Sequence, residues 1–290
     1  MKVTRRSLLS TCSALAMAPA LATDNPAPKG KTKKATYVLV HGGGHGGWCW
    51  ERVATPLRAL GHIVYTPTLT GCGERSHLLH PDIDLDTQIT DVVNSLKWEN
   101  LTNVIVVGHS YGGMVITGVA DRALDRVGQL VYLDAAHPKN DSALWGGSNS
   151  VVGNGTNNAA GATANQAADP FRKMVREVNG VELILFPDEA FIKGPLGVTK
   201  PEDVAWLKDK LTPHPAKCFF QPLKLENETA VKKIPTTDIW RSMILKNLDP
   251  DGSKRATMAD RVWEINSPSH DLMVTEPQQV TDMLSRLASI

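Results

Sequence analysis

Cysteine is scarce in this sequence, with four residues among 290. Cys12 lies near the N-terminus, and the other three, Cys49, Cys72 and Cys218, are widely spaced. Such a set excludes a disulfide framework as the basis of the fold, and if a single bridge forms, the sequence does not choose its pair. We expect each of the three to be a small buried side chain.

Basic runs are absent after the first 34 residues. Seven of the 31 lysines and arginines lie in residues 1–34, and residues 35–290 carry a net charge of −5. Binding to a phosphate backbone needs clustered positive charge, so nucleic acid is not an expected partner. No internal repeat is visible either. With 42% hydrophobic and 21% charged residues, the chain has the composition of a folded globular protein.

The N-terminal segment has the pattern of a secretory signal. Lys2, Arg5 and Arg6 precede a modestly apolar stretch over residues 8–21, and Ala20-Leu21-Ala22 supplies small residues for cleavage. The stretch is shorter than the ~20 residues that a bilayer span requires, so no stable membrane anchor is expected. A short helix at the start of a cytosolic protein is the alternative. The pattern favours a periplasmic or secreted protein.

Two further features refine this prediction. The run from Thr4 to Leu9 is similar to a twin-arginine signal, which would make the twin-arginine export machinery a partner. Residues 23–34 combine prolines, a glycine and four lysines, a composition typical of a flexible tether. The sequence therefore predicts a signal peptide over residues 1–22, a tether over 23–34 and a folded domain over 35–290.

Short β-branched runs alternate with helical patterns in the folded part, which predicts an α/β domain. Runs that are apolar throughout fit a mostly parallel central sheet with helices on both faces. The predicted strands are 37–40, 62–66, 104–107, 129–133, 236–240 and 262–265, and the predicted helices are 50–60, 85–96, 112–124 and 277–288.

The alternation lapses over about residues 138–230. A polar stretch over 146–168 is followed by amphipathic pieces around 171–178 and 201–211. Open α/β sheets bind their ligands at the carboxyl ends of their strands. We expect this insertion to form a helical lid over that edge.

The strongest chemical pattern is Gly108-His109-Ser110-Tyr111-Gly112, which directly follows a predicted strand and precedes a predicted helix. This is the context that a nucleophile elbow requires. Ser110 would project its hydroxyl at the N-terminus of the helix, where the helix dipole favours developing negative charge. The pattern therefore indicates that Ser110 is a nucleophile.

A glycine-rich loop over residues 41–48 follows the first predicted strand. A tetrahedral intermediate needs N–H donors from two places, and we expect Gly43 and Tyr111 to supply them as an oxyanion hole. The loop also satisfies G-x-G-x-x-G, but the second strand ends without the acid that would hold a dinucleotide ribose. His41 and His45 have no acid or cysteine nearby, so a metal site is not expected.

The general base is expected in a loop after the last strand. His270 lies in that loop, and His214 is the only other histidine after residue 137. Because His214 falls in the predicted lid, the sequence favours His270 as the base.

These residues resemble those of a known group. Residues 41–50, 71–77, 108–114, 270–273 and 276–277 are similar to the α/β-hydrolase branch that contains plant methylesterases, hydroxynitrile lyases and bacterial pyrethroid-hydrolase-like esterases. The resemblance implies an α/β-hydrolase fold, a Ser/His/acid triad, a helical lid, no metal and no organic cofactor. The lyases are expected to carry Thr at position 42 and Lys at position 271, so Gly42 and Asp271 favour hydrolysis.

The acid of the triad departs from the common pattern. In most α/β-hydrolases it lies just beyond the penultimate strand, where this chain has Arg241-Ser242-Met243 and no carboxylate. Asp134 ends the strand after the nucleophile helix, and the zearalenone lactonases resemble this arrangement. We predict Asp134 as the acid, with Asp238, Asp249 and Asp251 as alternatives.

The predicted function is hydrolysis of a carboxylic ester of a small apolar or aromatic substrate through an acyl-enzyme. Trp48, Trp145 and Met273 are predicted to bind the substrate, and Leu144, Leu185, Phe186 and Phe191 are further candidates. Lactone or amide hydrolysis with the same triad, cyanohydrin cleavage and a non-enzymatic binding protein are the alternatives.

Overall fold

A computed structural model describes residues 33–146, 150–151, 170–186, 188–242 and 259–290. Within these residues the strands are β1 (Thr36–Val40), β2 (Ile63–Tyr65), β3 (Val104–His109), β4 (Val127–Leu133), β5 (Val175–Val178), β6 (Val181–Ile184), β7 (His214–Pro215), β8 (Thr236–Arg241) and β9 (Arg261–Ile265).

The helices lie mainly in the connections between these strands. They are α1 (Glu51–Ala59), α2 (Leu85–Trp98), α3 (Gly112–Arg122), α4 (Glu189–Lys193), α5 (Pro201–Lys210), α6 (Lys217–Phe220), α7 (Glu228–Val231), α8 (Leu272–Thr275) and α9 (Pro277–Leu287). Short 3₁₀ helices occur at Gly47–Trp50, Gly73–Leu78 and Pro170–Met174.

Six strands form one parallel sheet in the order β2-β1-β3-β4-β8-β9. The apolar runs that mark the strands in the sequence are buried; every residue of β3 is inaccessible to solvent or nearly so. Two hydrophobic clusters lie on the two faces of the sheet, one beneath α2 and α3 and the other beneath α1 and α9. The predicted α/β architecture is confirmed, because apolar β-branched runs need cover on both faces.

The insertion between β4 and β8 contains an antiparallel sheet, β5-β6-β7, as well as the helices α4 to α7. The prediction of a helical lid did not include this sheet. Asn179 and Gly180, with φ of +52° and +78°, join β5 to β6. An Asn-Gly pair with positive φ at both residues is the preferred two-residue hairpin turn, so the signal was present in the sequence.

The three cysteines in the described part of the chain are free thiols, and all are buried. Burial raises the pKa of the Cys72 thiol far above its ordinary value, so the thiol is protonated. Among the described residues, no helix is both long and apolar enough to cross a membrane.

Candidate active site

Ser110 lies in the turn between β3 and α3, at the carboxyl end of the sheet. Its φ is +53°, in the left-handed region that non-glycine residues rarely adopt. Glycine is required beside it: a Cβ atom on Gly113 would lie 1.8 Å from the carbonyl oxygen of Ala136. The carbonyl of Ser110 accepts hydrogen bonds from Gly113 N at 3.2 Å and from Ala136 N at 3.0 Å, which hold the turn. The backbone therefore fixes the direction of the hydroxyl.

A hydrogen-bonded chain runs from Ser110 to an imidazole and then to a carboxylate. His270 Nε2 lies 2.8 Å from Ser110 Oγ, and His270 Nδ1 lies 2.5 Å from Asp134 Oδ2. The loop after β9 that carries His270 is held by a bond from His270 N–H to the carbonyl of Leu196, at 2.8 Å. The structure thus brings together the three residues that the sequence predicts as a triad.

Asp134 directly follows β4, the neighbour of β3 in the sheet. Its φ is +41°, and its N–H donates to Ile239 O at 2.8 Å, so the sheet edge fixes its backbone. Asp238, also considered for the acid, is fully buried elsewhere with Oδ1 3.3 Å from His137 Nδ1. Asp249 and Asp251 lie outside the described residues. Of the described candidates, Asp134 is the one that contacts His270.

Arg241 is a site residue that the sequence patterns did not identify. It ends β8, with Nε 3.0 Å from Asp134 Oδ2 and Nη1 donating to Pro268 O at 3.0 Å. The guanidinium therefore links the carboxylate of Asp134 to the loop that carries His270. Its position at the end of the penultimate strand indicates a site residue, but the triad carboxylate, rather than a cation, is expected at that position.

The loop after β1 lies against Ser110. A Cβ atom on Gly42 would be 2.9 Å from Ser110 Cβ and 2.8 Å from His109 Nδ1. Within the described chain, the N–H groups of Gly43 and Tyr111 donate to no protein acceptor. The two predicted oxyanion donors therefore lie in segments next to the serine, with their N–H groups free.

His41 anchors this loop from beneath. Burial lowers its pKa to about 3, so the ring is neutral, and Nε2 accepts from Leu69 N–H at 3.0 Å. The other ring nitrogen, Nδ1, lies 2.8 Å from Gly42 O. His41 is thus a hydrogen-bonded loop residue rather than a metal ligand.

The residue that follows His270 is a second buried carboxylate. Asp271 is fully buried, and its Oδ2 is 3.1 Å from His45 Nε2. Burial favours the neutral acid, but the positive charge of His45 outweighs it and lowers the pKa of Asp271 to about 2. The same pairing overcomes burial at His45 and raises the pKa of that imidazole. At any pH below the raised pKa of His45 and above the pKa of Asp271, the two side chains form a buried ion pair.

His109 lies between this ion pair and His270. Its ring centroid is 4.7 Å from that of His270, and its Nε2 lies 3.0 Å from the carbonyl oxygen of His270. Burial holds the pKa of His109 well below its ordinary value, so the ring is neutral and Nε2–H donates. The bond fixes the backbone of the candidate base.

Aromatic rings cover the loop that carries Gly43. A Cβ atom on Gly43 would be 2.7 Å from Phe219 Cζ and 3.1 Å from Phe186 Cζ. Trp145, predicted to bind the substrate, packs on Phe219 with ring centroids 4.5 Å apart. Phe191 packs on Phe186 at 5.4 Å. The structure therefore places a group of aromatic side chains beside the free N–H of Gly43.

The other predicted substrate contacts are placed elsewhere. Trp48 stacks on His45 and packs against Trp206, at 5.6 and 5.2 Å between ring centroids. Met273 is fully buried in the hydrophobic cluster beneath α1 and α9, whereas Trp145 belongs to the cluster on the other face. The structure does not bring Met273 and Trp145 into one group.

No group of three or more His, Cys, Asp or Glu side chains able to hold a metal ion is found in the part of the chain that the structure describes.

Proteins of known function share a part of this sequence. A carbendazim hydrolyzing esterase from Nocardioides sp. (strain SG-4G) is 54% identical over 110 residues, which is 38% of this chain and 46% of that protein. Methylesterase 2 from Arabidopsis thaliana is 34% identical over 108 residues, which is 37% of this chain and 41% of that protein. Each match thus spans less than half the length of these relatives.

The fold is shared over a greater length. The crystal structure of a methylesterase protein from Arabidopsis aligns with a TM-score of 0.65 and 22% sequence identity, covering 88% of this chain and 99% of that chain. The model of the alpha/beta hydrolase family matches residues 37–283. The chain belongs to the alpha/beta hydrolase family.

Proposed function

We propose that this protein hydrolyses carboxylic esters through an acyl-enzyme formed on Ser110. The observation that carries the proposal is the hydrogen-bonded chain from Ser110 Oγ through His270 to Asp134, with distances of 2.8 and 2.5 Å. A serine, a base within hydrogen-bond reach and a third group that orients the base are what nucleophilic catalysis requires.

The geometry supports the following steps. His270 Nε2 takes the proton of Ser110 Oγ–H as the oxygen attacks the ester carbonyl, and Gly43 and Tyr111 N–H donate to the developing oxyanion. His270 returns this proton to the leaving alkoxide, which departs as an alcohol. A water molecule then gives a proton to His270 as its oxygen attacks the acyl carbon. The bond from the acyl carbon to Ser110 Oγ breaks, His270 returns the proton to Oγ, and the acid is released. Asp134 holds the tautomer of His270 and stabilises the imidazolium.

The proposed substrate is a small ester with an aromatic or apolar acyl group, and a methyl ester in particular. The aromatic side chains beside Gly43, Phe186 and Phe219 among them, support a flat apolar acyl group. The name of the methylesterase relative supports a methyl ester, and the name of the carbendazim hydrolyzing esterase supports ester hydrolysis in general. A lactone or an amide would use the same residues and steps.

Cyanohydrin cleavage is less well supported than hydrolysis. A threonine at position 42, expected in the lyases, would need space that Ser110 Cβ and His109 Nδ1 occupy. A lysine at position 271 would replace the buried acid that pairs with His45. The surroundings of positions 42 and 271 therefore fit the glycine and the aspartate that favour a hydrolase.

The proposal includes export from the cytoplasm. Its support is the sequence pattern of residues 1–22, with Lys2, Arg5 and Arg6 ahead of an apolar stretch and a small-residue cleavage pattern. The Arg5-Arg6 pair favours the twin-arginine route.

The proposed function is tested by turnover of p-nitrophenyl acetate and methyl benzoate by the wild-type protein beside Ser110→Ala. We expect turnover and fluorophosphonate labelling of the wild type, and neither in Ser110→Ala at an unchanged circular dichroism spectrum. Absence of both turnover and labelling in the wild type would refute the proposed mechanism. Equal turnover by the variant would show that another group is the nucleophile.

A further inference from the structure

Both backbone groups of Gly44 are bonded to one segment of the insertion. Gly44 N–H donates to His214 Nδ1 at 3.2 Å, and Gly44 O accepts from Thr212 N–H at 2.9 Å. Gly44 has φ of +72° and follows Gly43, the candidate oxyanion donor. The segment that ends in β7 therefore fixes the loop at the residue next to that donor.

The second nitrogen of His214 is connected, through Gln88, to the side chain of Tyr111, the other candidate oxyanion donor. A backbone N–H can only donate, so His214 Nδ1 is an acceptor and Nε2 carries the hydrogen. Nε2–H then donates to Gln88 Oε1 at 3.1 Å, and the same oxygen accepts from Tyr111 O–H at 2.7 Å. One imidazole thus connects Gly44 to Tyr111 through a single glutamine.

Burial stabilises the form of His214 that makes these bonds. The side chain is fully buried, which holds its pKa well below the ordinary value and keeps the ring neutral. Cys72 Sγ lies 3.2 Å from Nδ1, and the Phe219 ring packs edge-on against His214 with centroids 4.9 Å apart. Phe219 also stacks on Tyr111, with ring centroids 4.8 Å apart. The Phe219 ring therefore packs against both His214 and Tyr111.

The carbonyl groups on either side of Gly43 N–H also have hydrogen-bond partners. Gly42 O accepts from His45 N–H at 3.3 Å, and His45 Nδ1 lies 2.8 Å from Gly43 O. Gly43 N–H stays free within the described chain, and its direction depends on the bonds on either side of it. Loss of the bond at Gly44 would release one of those sides.

We propose that His214 is a positioning residue for the oxyanion hole. From β7 of the inserted sheet, it connects the loop that supplies Gly43 N–H with the turn that supplies Tyr111 N–H. This inference rests on the proposed ester hydrolysis. It implies that the oxyanion hole is complete only while β7 is docked against the loop after β1.

Three substitutions separate this role from simple packing. In His214→Asn the side-chain oxygen occupies the place of Nδ1 and can accept from Gly44 N–H. In His214→Gln the amide nitrogen occupies the place of Nε2, and the acceptor for Gly44 is lost. His214→Leu removes both the acceptor and the donor and leaves an apolar side chain in their place.

The measurement is kcat and KM for p-nitrophenyl acetate, normalised to active sites counted with a fluorophosphonate. We expect kcat to fall by about 10- to 100-fold in His214→Leu and His214→Gln, since a misplaced donor weakens binding of the oxyanion. KM should change far less, and His214→Asn should recover most of kcat. Amide exchange at Gly44 should be slow in the wild type and His214→Asn and faster in the other two.

His62→Leu is the matched control. His62 is a buried histidine whose Nδ1 accepts from Ala35 N–H at 3.2 Å, the same bond as at His214, but it lies at the amino end of β2. We expect a lower melting temperature and an unchanged kcat for each labelled site.

Several outcomes would overturn the role of His214. Wild-type kcat in His214→Leu would do so, as would a loss confined to KM, or equal losses in the Asn and Gln variants, which would indicate packing alone. If His214→Leu does not fold, the comparison of Asn with Gln still decides. Absence of turnover and labelling in the wild type would instead refute the proposed function, and Gly44 exchange would then report on the contact by itself.

Discussion

Two residues of the candidate triad, Ser110 and Asp134, have left-handed backbones, with φ of +53° and +41°. Each follows a buried parallel strand directly, and β3 and β4 are neighbours in the sheet. A non-glycine residue in this conformation costs on the order of 1–3 kcal/mol and persists only where its surroundings impose it. At these two positions the imposed conformation directs a hydroxyl and a carboxylate to the same imidazole.

Asp134→Asn tests the role of the acid at the residue scale. We expect kcat to fall by on the order of 10⁴-fold, because an amide stabilises the wrong tautomer of His270 and no charge supports the imidazolium. The measurement is kcat for p-nitrophenyl acetate at a matched circular dichroism spectrum. Asp238→Asn is the control, and it should keep the wild-type kcat for each labelled site. An unchanged rate in Asp134→Asn would show that another group orients His270.

Asp271→Asn tests the buried ion pair with His45. The pKa of Asp271 is lowered from 3.8 to about 2 in the folded protein, so its charge stabilises the fold above pH 4, and this contribution is lost as pH falls towards 2. The size of the shift corresponds to about 2 kcal/mol. We expect urea unfolding of the wild type to lose this much stability between pH 4 and pH 2, whereas Asp271→Asn lacks that component. Parallel curves for the two proteins would contradict a charged Asp271.

At the scale of elements, the site is assembled by loops that leave the carboxyl ends of adjacent strands. The loop after β1, the turn after β3 and the end of β4 come from three strands that are neighbours in the sheet. His270 follows β9 at the edge of the sheet, so its loop must be held across β8, and Leu196 O and Arg241 hold it. Strand order thus brings the first three segments together, whereas the loop that carries His270 needs these two additional contacts.

Gly42→Thr tests how closely the loop after β1 packs on the turn that carries Ser110. The new Cβ atom would lie 2.9 Å from Ser110 Cβ and 2.8 Å from His109 Nδ1, so one of these segments must move. A displacement of about 1 Å can cost ~10²-fold in rate, and we expect a loss of that order in kcat for p-nitrophenyl acetate. A circular dichroism spectrum and a melting temperature matched to those of the wild type are the control, because they separate a displaced turn from a misfolded variant. Wild-type turnover by Gly42→Thr, or cyanide release from mandelonitrile, would contradict this interpretation of the loop.

At the scale of the whole molecule, the family match concerns the folded domain, whereas the export proposal concerns the N-terminal segment. The match to the alpha/beta hydrolase family covers residues 37–283, from β1 into α9. Export is a proposal that rests on the sequence of residues 1–22. The net charge of −5 over residues 35–290 is the charge that the folded domain would carry after export.

The double variant Arg5→Lys, Arg6→Lys tests the export route. It keeps both positive charges but removes the arginine pair, so we expect the protein to accumulate in the cytoplasm of a host with the twin-arginine machinery. Immunoblots of cytoplasmic and periplasmic fractions give the measurement, with Lys2→Arg as the control. Periplasmic accumulation of the double variant would favour the general secretory route. Cytoplasmic retention of the wild type would refute export.

The sequence by itself determined the six strands of the central sheet, the helices that cover it and the order of the chemical groups along the chain. These are local properties: apolar β-branched runs predict β3 and β4, and the glycines around Ser110 mark a turn that few other residues can form. Asp134 could be preferred because it ends such a strand. The hairpin turn at Asn179 and Gly180 is an equally local signal, because it depends on two adjacent residues.

The tertiary structure decided which distant side chains meet. The contacts of Arg241 with Asp134, of His45 with Asp271 and of His214 with Gly44 each join residues more than 100 positions apart. No periodicity or motif encodes such contacts, because they depend on strand order, on the path of the insertion and on which polar groups must find partners once buried. The choice of Asp134 over Asp238 belongs here as well, since both are carboxylates on adjacent strands and only the packed sheet directs the first towards His270.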